Sequence, residues 1–133
     1  MDVYMKFSIC IPNYNYGHYI RSTICSILPQ EVELEVLVAD NASTDNSVAV
    51  IEAINDPRIS LTRNNCNVGF SANLDRACQS ATGDRLILLS SDDLAGPDAL
   101  TLYDRLARAL GERAKHSIFA SDQYIIDSES RII

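Results

Sequence analysis

Apolar positions along the chain fall into two alternating patterns: short β-favouring runs, and longer stretches with apolar side chains at helical spacing. KFSICI, Lys6 to Ile11, reads as a first strand stopped by Pro12. A helix is predicted from Tyr19 to Leu28, with Ile20, Ile24, Ile27 and Leu28 on one face and Pro29 past its end. LEVLVAD, Leu34 to Asp40, is the second strand. NASTDNS then offers several N-caps for a helix through Val48, Ile51 and Ile54 that ends near Asp56-Pro57. ISLTR, Ile59 to Arg63, is a short third strand. The polar loop NNCNVGF leads into a helix over Ala72 to Ala81, with Gly83 just past it. RLILL is the fourth strand. Pro97 suits the first turn of a helix carrying Leu100, Tyr103, Leu106, Ala107 and Leu110, and SIFASDQYII is a fifth strand.

Strands alternating with helices imply βαβ units, so the expected fold is a doubly wound α/β domain with a mostly parallel sheet and helices on both faces. The continuous apolar runs of the second and fourth strands fit parallel strands buried on both sides. The 133 residues suffice for one domain, 1–133, with its own core.

Charge narrows the partners. Eighteen acidic against eleven basic residues give a net charge of −7, which argues against nucleic acid or an anionic membrane as partner. No apolar run is long enough to span a bilayer, and MDVYMKFSIC lacks the pattern of a signal peptide. Cys10, Cys25, Cys66 and Cys78 form no CxxC pair and have no histidine at metal-ligand spacing, so they read as reduced thiols used as small hydrophobes, and the cytoplasm is the expected compartment.

In such sheets ligands bind beyond the carboxyl ends of the strands. PNYNYG follows the first strand, Asp40-Asn41 the second, and Ser90-Ser91-Asp92-Asp93 the fourth. Taken alone, Asp40 to Ser43 reads as a helix cap, Tyr14 and Tyr16 as packing residues, and Asp92-Asp93 as a turn. Their coincidence on one rim favours a site. Two carboxylates with no basic neighbour suit Mg²⁺ or Mn²⁺, which is typically held by one or two carboxylates plus substrate phosphates. Tyr14 offers a stacking face for a base and Asp40 an acceptor for base N–H groups, so the set describes a nucleotide diphosphate bound through a metal. The G-x-G-x-x-G and G-x-x-x-x-G-K-[ST] loops of other nucleotide-binding folds are absent.

FSICIPNYNYGHYIRSTICSIL, LEVLVADNASTDNS, RNNCNVGFSANLDRACQSATGD, LILLSSDDL and IFASDQYIIDSES together resemble, in order, the family 2 glycosyltransferases of the A-type nucleotide-diphosphosugar fold. The resemblance spans nearly the whole chain, and the aspartate pair matches the family's DXD-type motif. It implies an inverting, metal-dependent transfer of a sugar from a nucleotide-diphosphate donor, expected to be UDP-linked, to a glycan or lipid-linked acceptor in cell-wall or polysaccharide synthesis. It further implies that Pro12, Asn13, Tyr14 and Asn15 line the nucleoside pocket, that Asp40 binds the base, and that Asn67 and Gly69 shape the loop beside it. Asp92 would face the ribose or the metal, and Asp93 the metal.

Two positions depart from the pattern: Ser91 stands where the motif's first acid would be, and Ala72 where many members carry arginine. The family's catalytic domain usually continues past the fifth strand to supply the acceptor site and the general base. The chain is therefore expected to be the donor-binding part of a domain incomplete at its C-terminus, and to form homo-oligomers through the uncovered surface. Asp127 and Glu129 come too early to stand in for that base. Two readings stay open: a transferase acting in the cytoplasm or peripherally at the inner face of the membrane, or a non-catalytic nucleotide-sugar binding module.

Overall fold

The computed structural model of the chain describes residues 5–119, 123–127, 129, 131 and 132. Lys6–Asn13 (β1), Glu33–Asp40 (β2), Ile59–Arg63 (β3) and Arg85–Leu88 (β4) pair in parallel in the order β3-β2-β1-β4. Between and after them lie helices Ile20–Ile27 (α1), Ser47–Glu52 (α2), Phe70–Gln79 (α3) and Ala99–Leu110 (α4), then a 3-10 turn over Gly111–His116. The doubly wound α/β expectation holds.

Alternation along the strands decides which helix covers which face. Phe7, Ile9 and Ile11 of β1 and Leu34, Val36 and Val38 of β2 point to one side, where they pack with Ile20, Ile24 and Ile27 of α1, Ile51 of α2 and Leu100 of α4. Cys10, Leu37 and Ala39 point to the other side, under Leu74, Ala77 and Cys78 of α3. Each fully buried aliphatic side chain contributes roughly 1.5–3 kcal/mol of hydrophobic stabilisation, so the isoleucine-rich first face carries most of it.

Pro12 does not end β1, as the sequence predicted; the strand runs two residues further, and Pro12 and Asn13 stand opposite Ala39 and Asp40. Successive residues of β1 turn their backbone groups to alternate neighbours. Cys10 O accepts from Leu89 N–H on the β4 side, and Asn13 O accepts from Asn41 N–H on the β2 side. The N–H that Pro12 lacks would point towards β4, which has ended at Leu88, so no ladder bond is lost.

Three other expectations are corrected. β4 is not buried on both faces: it is an edge strand whose Leu86 and Leu88 are 53% and 59% exposed. Helix α4 starts at Ala99 rather than at Pro97, after Asp98 in a left-handed conformation (φ 61°). The fifth strand is not formed at 117–119 or 123–125; Ile126 makes an isolated antiparallel bridge to Ile132, and 120–122 lie outside the described residues. Ile118, Tyr124 and Ile125 are largely exposed, with none of the burial that would reward ordering a strand.

Candidate functional site

A cavity of about 290 Å³ opens at the carboxyl edge of the sheet, where the ends of β1, β2 and β4 meet the loop before α3. β1 and the turn after it supply Pro12, Asn13, Tyr14 and Tyr16; β2 supplies Asn41; the loop and start of α3 supply Asn67 and Phe70. Ser90, Ser91 and Asp92 close the far end, beyond β4. The larger hollow, about 490 Å³ at the opposite edge of the sheet, is lined by Ile51, Glu52, Asn55, Asp56, Pro57, Ile59 and Leu61, and its polar side chains all come from the one segment 52–56 rather than from several strand ends.

The first wall is held by two loops stitched together. Asn15 takes a left-handed conformation (φ 58°), and its Oδ1 accepts from Thr44 N–H (2.7 Å) and Asp45 N–H (3.3 Å) while its own N–H donates to Ser43 Oγ (2.9 Å). Gly17 N–H donates to Asp45 Oδ2 at 2.8 Å, and a Cβ at Gly17 would displace the side chains of Asn46 and Asp45. Hydrogen bonds from Ser47 and Gly17 outweigh the burial that alone would raise the Asp45 pKa, and hold it below the usual carboxylate range. The result is a turn that carries Tyr14 and Tyr16 outward, 42% and 39% exposed, as aromatic faces on the cavity.

Amides build the floor. Asn64 Nδ2 donates to Asn41 Oδ1 and Asn73 Oδ1, both at 2.9 Å, and Asn64 Oδ1 accepts from Arg76. Asn73 Nδ2 donates to Ala39 O at 2.8 Å, anchoring α3 to β2. Asn41 bonds in turn to Asn67 Oδ1 (2.9 Å), Gly69 O (3.3 Å) and Val68 N–H (2.9 Å). This mesh fixes the loop from Asn64 to Gly69. Gly69, at φ 86°, then turns the chain so that Phe70, 67% exposed, stands on the cavity edge.

The acidic end is braced from α1. Buried Thr23 Oγ1 donates to Ser91 O at 2.9 Å, Ser26 Oγ accepts from Ala95 N–H at 3.0 Å, and Asp93 N–H closes a turn on Ser90 O at 3.2 Å. Asp92 lines the cavity; Asp93 is exposed beside it. No group of three or more His, Cys, Asp or Glu suited to a metal gathers among the described residues. The donor set is two adjacent carboxylates on a wet turn. It fits Mg²⁺ or Mn²⁺ provided a diphosphate supplies further oxygens, which is how such ions are commonly held.

Of the residues expected at the site, Pro12, Asn13, Tyr14, Asn67 and Asp92 come together around one cavity. Asn15 is not on its surface; its side chain ties the two loops. Asp40 lies beneath, 2% exposed, accepting from Asn13 Nδ2 and Ser43 Oγ at Oδ1 and from Ser43 N–H at Oδ2. Gly69 shapes the α3 entry. Sequence reasoning missed Phe70 and the Asn41–Asn64–Asn73 mesh; a usable signal was that every asparagine of the chain lies between residues 13 and 73. Asp127 is occupied: Arg131, through its backbone N–H and guanidinium, holds the Asp127 carboxyl below its ordinary range, and Glu129 pairs with the same arginine.

Known proteins share this frame. An abequosyltransferase, RfbV, of Salmonella typhimurium is 34% identical over 105 residues, 74% of this chain and 31% of that protein. The Staphylococcus aureus protein TarS, solved in complex with UDP-GlcNAc, superposes with a TM-score of 0.74 at 27% identity, over 79% of this chain and 32% of that one. A mannosyltransferase of Pyrobaculum calidifontis, in complex with GDP-Man and Mn²⁺, superposes with a TM-score of 0.68 at 26% identity, over 79% and 32%. The chain spans roughly a third of the length of the first curated relatives it matches. The model of glycosyl transferase family 2 matches residues 8–130, and with its fold and its relatives in agreement the chain belongs to that family.

Proposed function

We propose that the cavity is the donor site of an inverting glycosyltransferase, taking a UDP-linked sugar. The observation that carries this reading is that three strand ends bring aromatic side chains, amides and a carboxylate turn to one cavity. The base stacks at the Tyr14 end, where an aromatic face is exposed. Asp92 and Asp93 would hold a divalent cation at the diphosphate end. That ion would neutralise charge on the departing diphosphate. Thr23 and Ser26 keep the carboxylate turn in place, and Pro12, Asn13 and Asn67 close the nucleoside end. The complexes of the two structural neighbours with UDP-GlcNAc and with GDP-Man and Mn²⁺ support a nucleotide-sugar donor and a divalent metal.

The acceptor in this reading is a glycan or lipid-linked glycan of the cell surface, as the relation to an abequosyltransferase and to a chondroitin synthase of Pasteurella multocida supports. The reaction takes place in the cytoplasm or at the inner membrane face; no helix among the described residues is long and apolar enough to cross a membrane. A non-catalytic donor-binding module is the second reading. It is favoured by one observation: Asp92 is the only carboxylate among the described residues lining the cavity, and a general base must reach the acceptor hydroxyl directly or through one water.

Calorimetric titration of UDP into the chain, with Mn²⁺ and then with EDTA, tests the donor site. UDP should bind at least about tenfold more tightly with the metal, a gain of about 1.4 kcal/mol, and Asp93→Ala should abolish that gain. Equal affinity in both conditions would remove the metal from the account.

A further inference from the structure

Away from the cavity lining, Cys10 and Cys78 meet in the layer between β1 and α3. Cys10 is fully buried in the middle of β1, on the face that α3 covers. Cys78, in the last turn of α3, packs onto the same cluster and keeps part of its surface in solvent. Ala39, Ala77 and Ala81 fill much of the rest of that cluster. With such small side chains the helix sits low on the sheet, and Cα atoms of α3 and β1 come within 8 Å. The two thiols share a hydrogen bond. Burial, and then the Cys78 thiol, push the Cys10 pKa up to about 12, so Cys10 stays a neutral thiol, shielded from oxidants in solution. Cys25 and Cys66 lie elsewhere, exposed on α1 and in the loop before α3.

We propose that Cys10 and Cys78 form an oxidation site, which closes to an intramolecular disulfide with a hydroperoxide as the oxidant. Cys78 is the thiol within reach of solvent, and its thiolate attacks one oxygen of the peroxide. The O–O bond breaks, leaving a sulfenic acid on Cys78 and a hydroxide that becomes water. The Cys10 sulfur, already in contact, then attacks the Cys78 sulfur. The S–O bond breaks as the S–S bond forms, and the departing hydroxide leaves as water with the Cys10 proton. Two thiols give up two electrons, the peroxide takes them, and two waters result. Burial protects Cys10 from the peroxide itself, so it is preserved to resolve Cys78 before further oxidation. The bridge would fasten to β1 the helix whose first turn supplies Phe70 and Asn73 to the cavity. The proposal does not depend on the donor-site reading.

The experiment treats the full chain with hydrogen peroxide, blocks remaining thiols with iodoacetamide, and maps the unreduced digest by mass spectrometry. A peptide pair joined through Cys10 and Cys78 should be the main linkage within one chain, two hydrogens lighter than its separate parts. Dithiothreitol should return both residues to thiols that alkylate once the chain is unfolded. A chain carrying both Cys25→Ser and Cys66→Ser should form the bridge as wild type does. Cys78→Ser changes a partly exposed position, and circular dichroism checks that the variant is folded. It should leave Cys10 an unmodified thiol at a peroxide dose that converts wild type. The proposal is overturned if Cys78 passes to sulfinic acid while Cys10 stays free, or if Cys78 resists peroxide altogether. Linkages that run through Cys25 or Cys66 in preference to the Cys10–Cys78 pair overturn it as well.

Discussion

Ala42 holds φ 62° between Asn41 and Ser43, directly beside the floor of the cavity. A left-handed non-glycine residue costs roughly 1–2 kcal/mol, and glycine at the same place gives back part of the relief as unfolded-state entropy. Ala42→Gly should therefore stabilise the chain by a net of about 0.5–1 kcal/mol, seen as a higher urea midpoint with an unchanged slope. A lower midpoint would mean that the alanine methyl packs usefully. At this scale the sequence was legible where a residue's chemistry is local. Asp92-Asp93 after an apolar strand and Tyr14 after another could be placed on the rim without coordinates. Asn15 and Asp40 could not be separated from the cavity lining, because their side-chain directions depend on a loop about 28 residues away, as the Asn15 contact to Ser43 illustrates.

Among the elements, the amino end of the sheet is locked by one carboxylate. Glu35 of β2 accepts from Lys6 Nζ (2.7 Å) and Ser8 Oγ (2.5 Å) of β1 and from Thr82 N–H (2.7 Å) ahead of β4. Burial alone would raise its pKa, but these hydrogen bonds outweigh it and bring it down to about 2. A depressed carboxylate stabilises the fold fully above its ordinary value near 4.5, and that contribution is lost as pH falls towards 2. Wild type should accordingly lose stability over that window, by an amount on the order of 2 kcal/mol, while Glu35→Gln should show a flatter profile from a lower plateau. Urea denaturation at several pH values checks this; parallel profiles would assign the acid sensitivity elsewhere, for example to Asp56, which Arg58 holds at about 2. At the carboxyl end, Thr23→Val removes the buried bond to Ser91 O at almost constant shape. It should cost about 1–2 kcal/mol and weaken metal-supported UDP binding by loosening the acidic turn, measured by denaturation and calorimetry. Unchanged UDP affinity would show that α1 does not set that turn. The first four strands and the four helices were readable from periodicity; the predicted fifth strand was not formed at 117–119 or 123–125. The ends of the elements were not readable: that β1 continues through Pro12 depends on where β4 stops, which only the assembled sheet decides.

On the scale of the whole molecule, the parallel sheet and its helices on both faces were legible because alternating periods leave few topologies. The one-sided exposure of β4 was not, since an apolar run reads alike in a central strand and at an edge. Leu86, Leu88, Leu102, Leu106 and Ile118 are exposed on the later part of the chain, an apolar surface of the kind that drives association. Light scattering should accordingly detect a concentration-dependent rise in mass, and a constant monomer mass from micromolar to millimolar protein would contradict it. With Asp92 the sole carboxylate among the described residues lining the cavity and Asp127 held by Arg131, the 133-residue chain should bind donor without acceptor-dependent sugar transfer. Transfer by the isolated chain would reopen the assignment of the base. The claim on which the account depends is the place of the donor, and amide chemical-shift mapping of the 14.7 kDa chain during titration with UDP and Mg²⁺ tests it most directly. The predicted result is a set of shifts confined to residues 13–17, 41, 67–70 and 90–93 (Pro12 has no amide proton). Shifts confined to the hollow of Ile51, Pro57, Ile59 and Leu61, or no shifts at saturating UDP, would contradict the account.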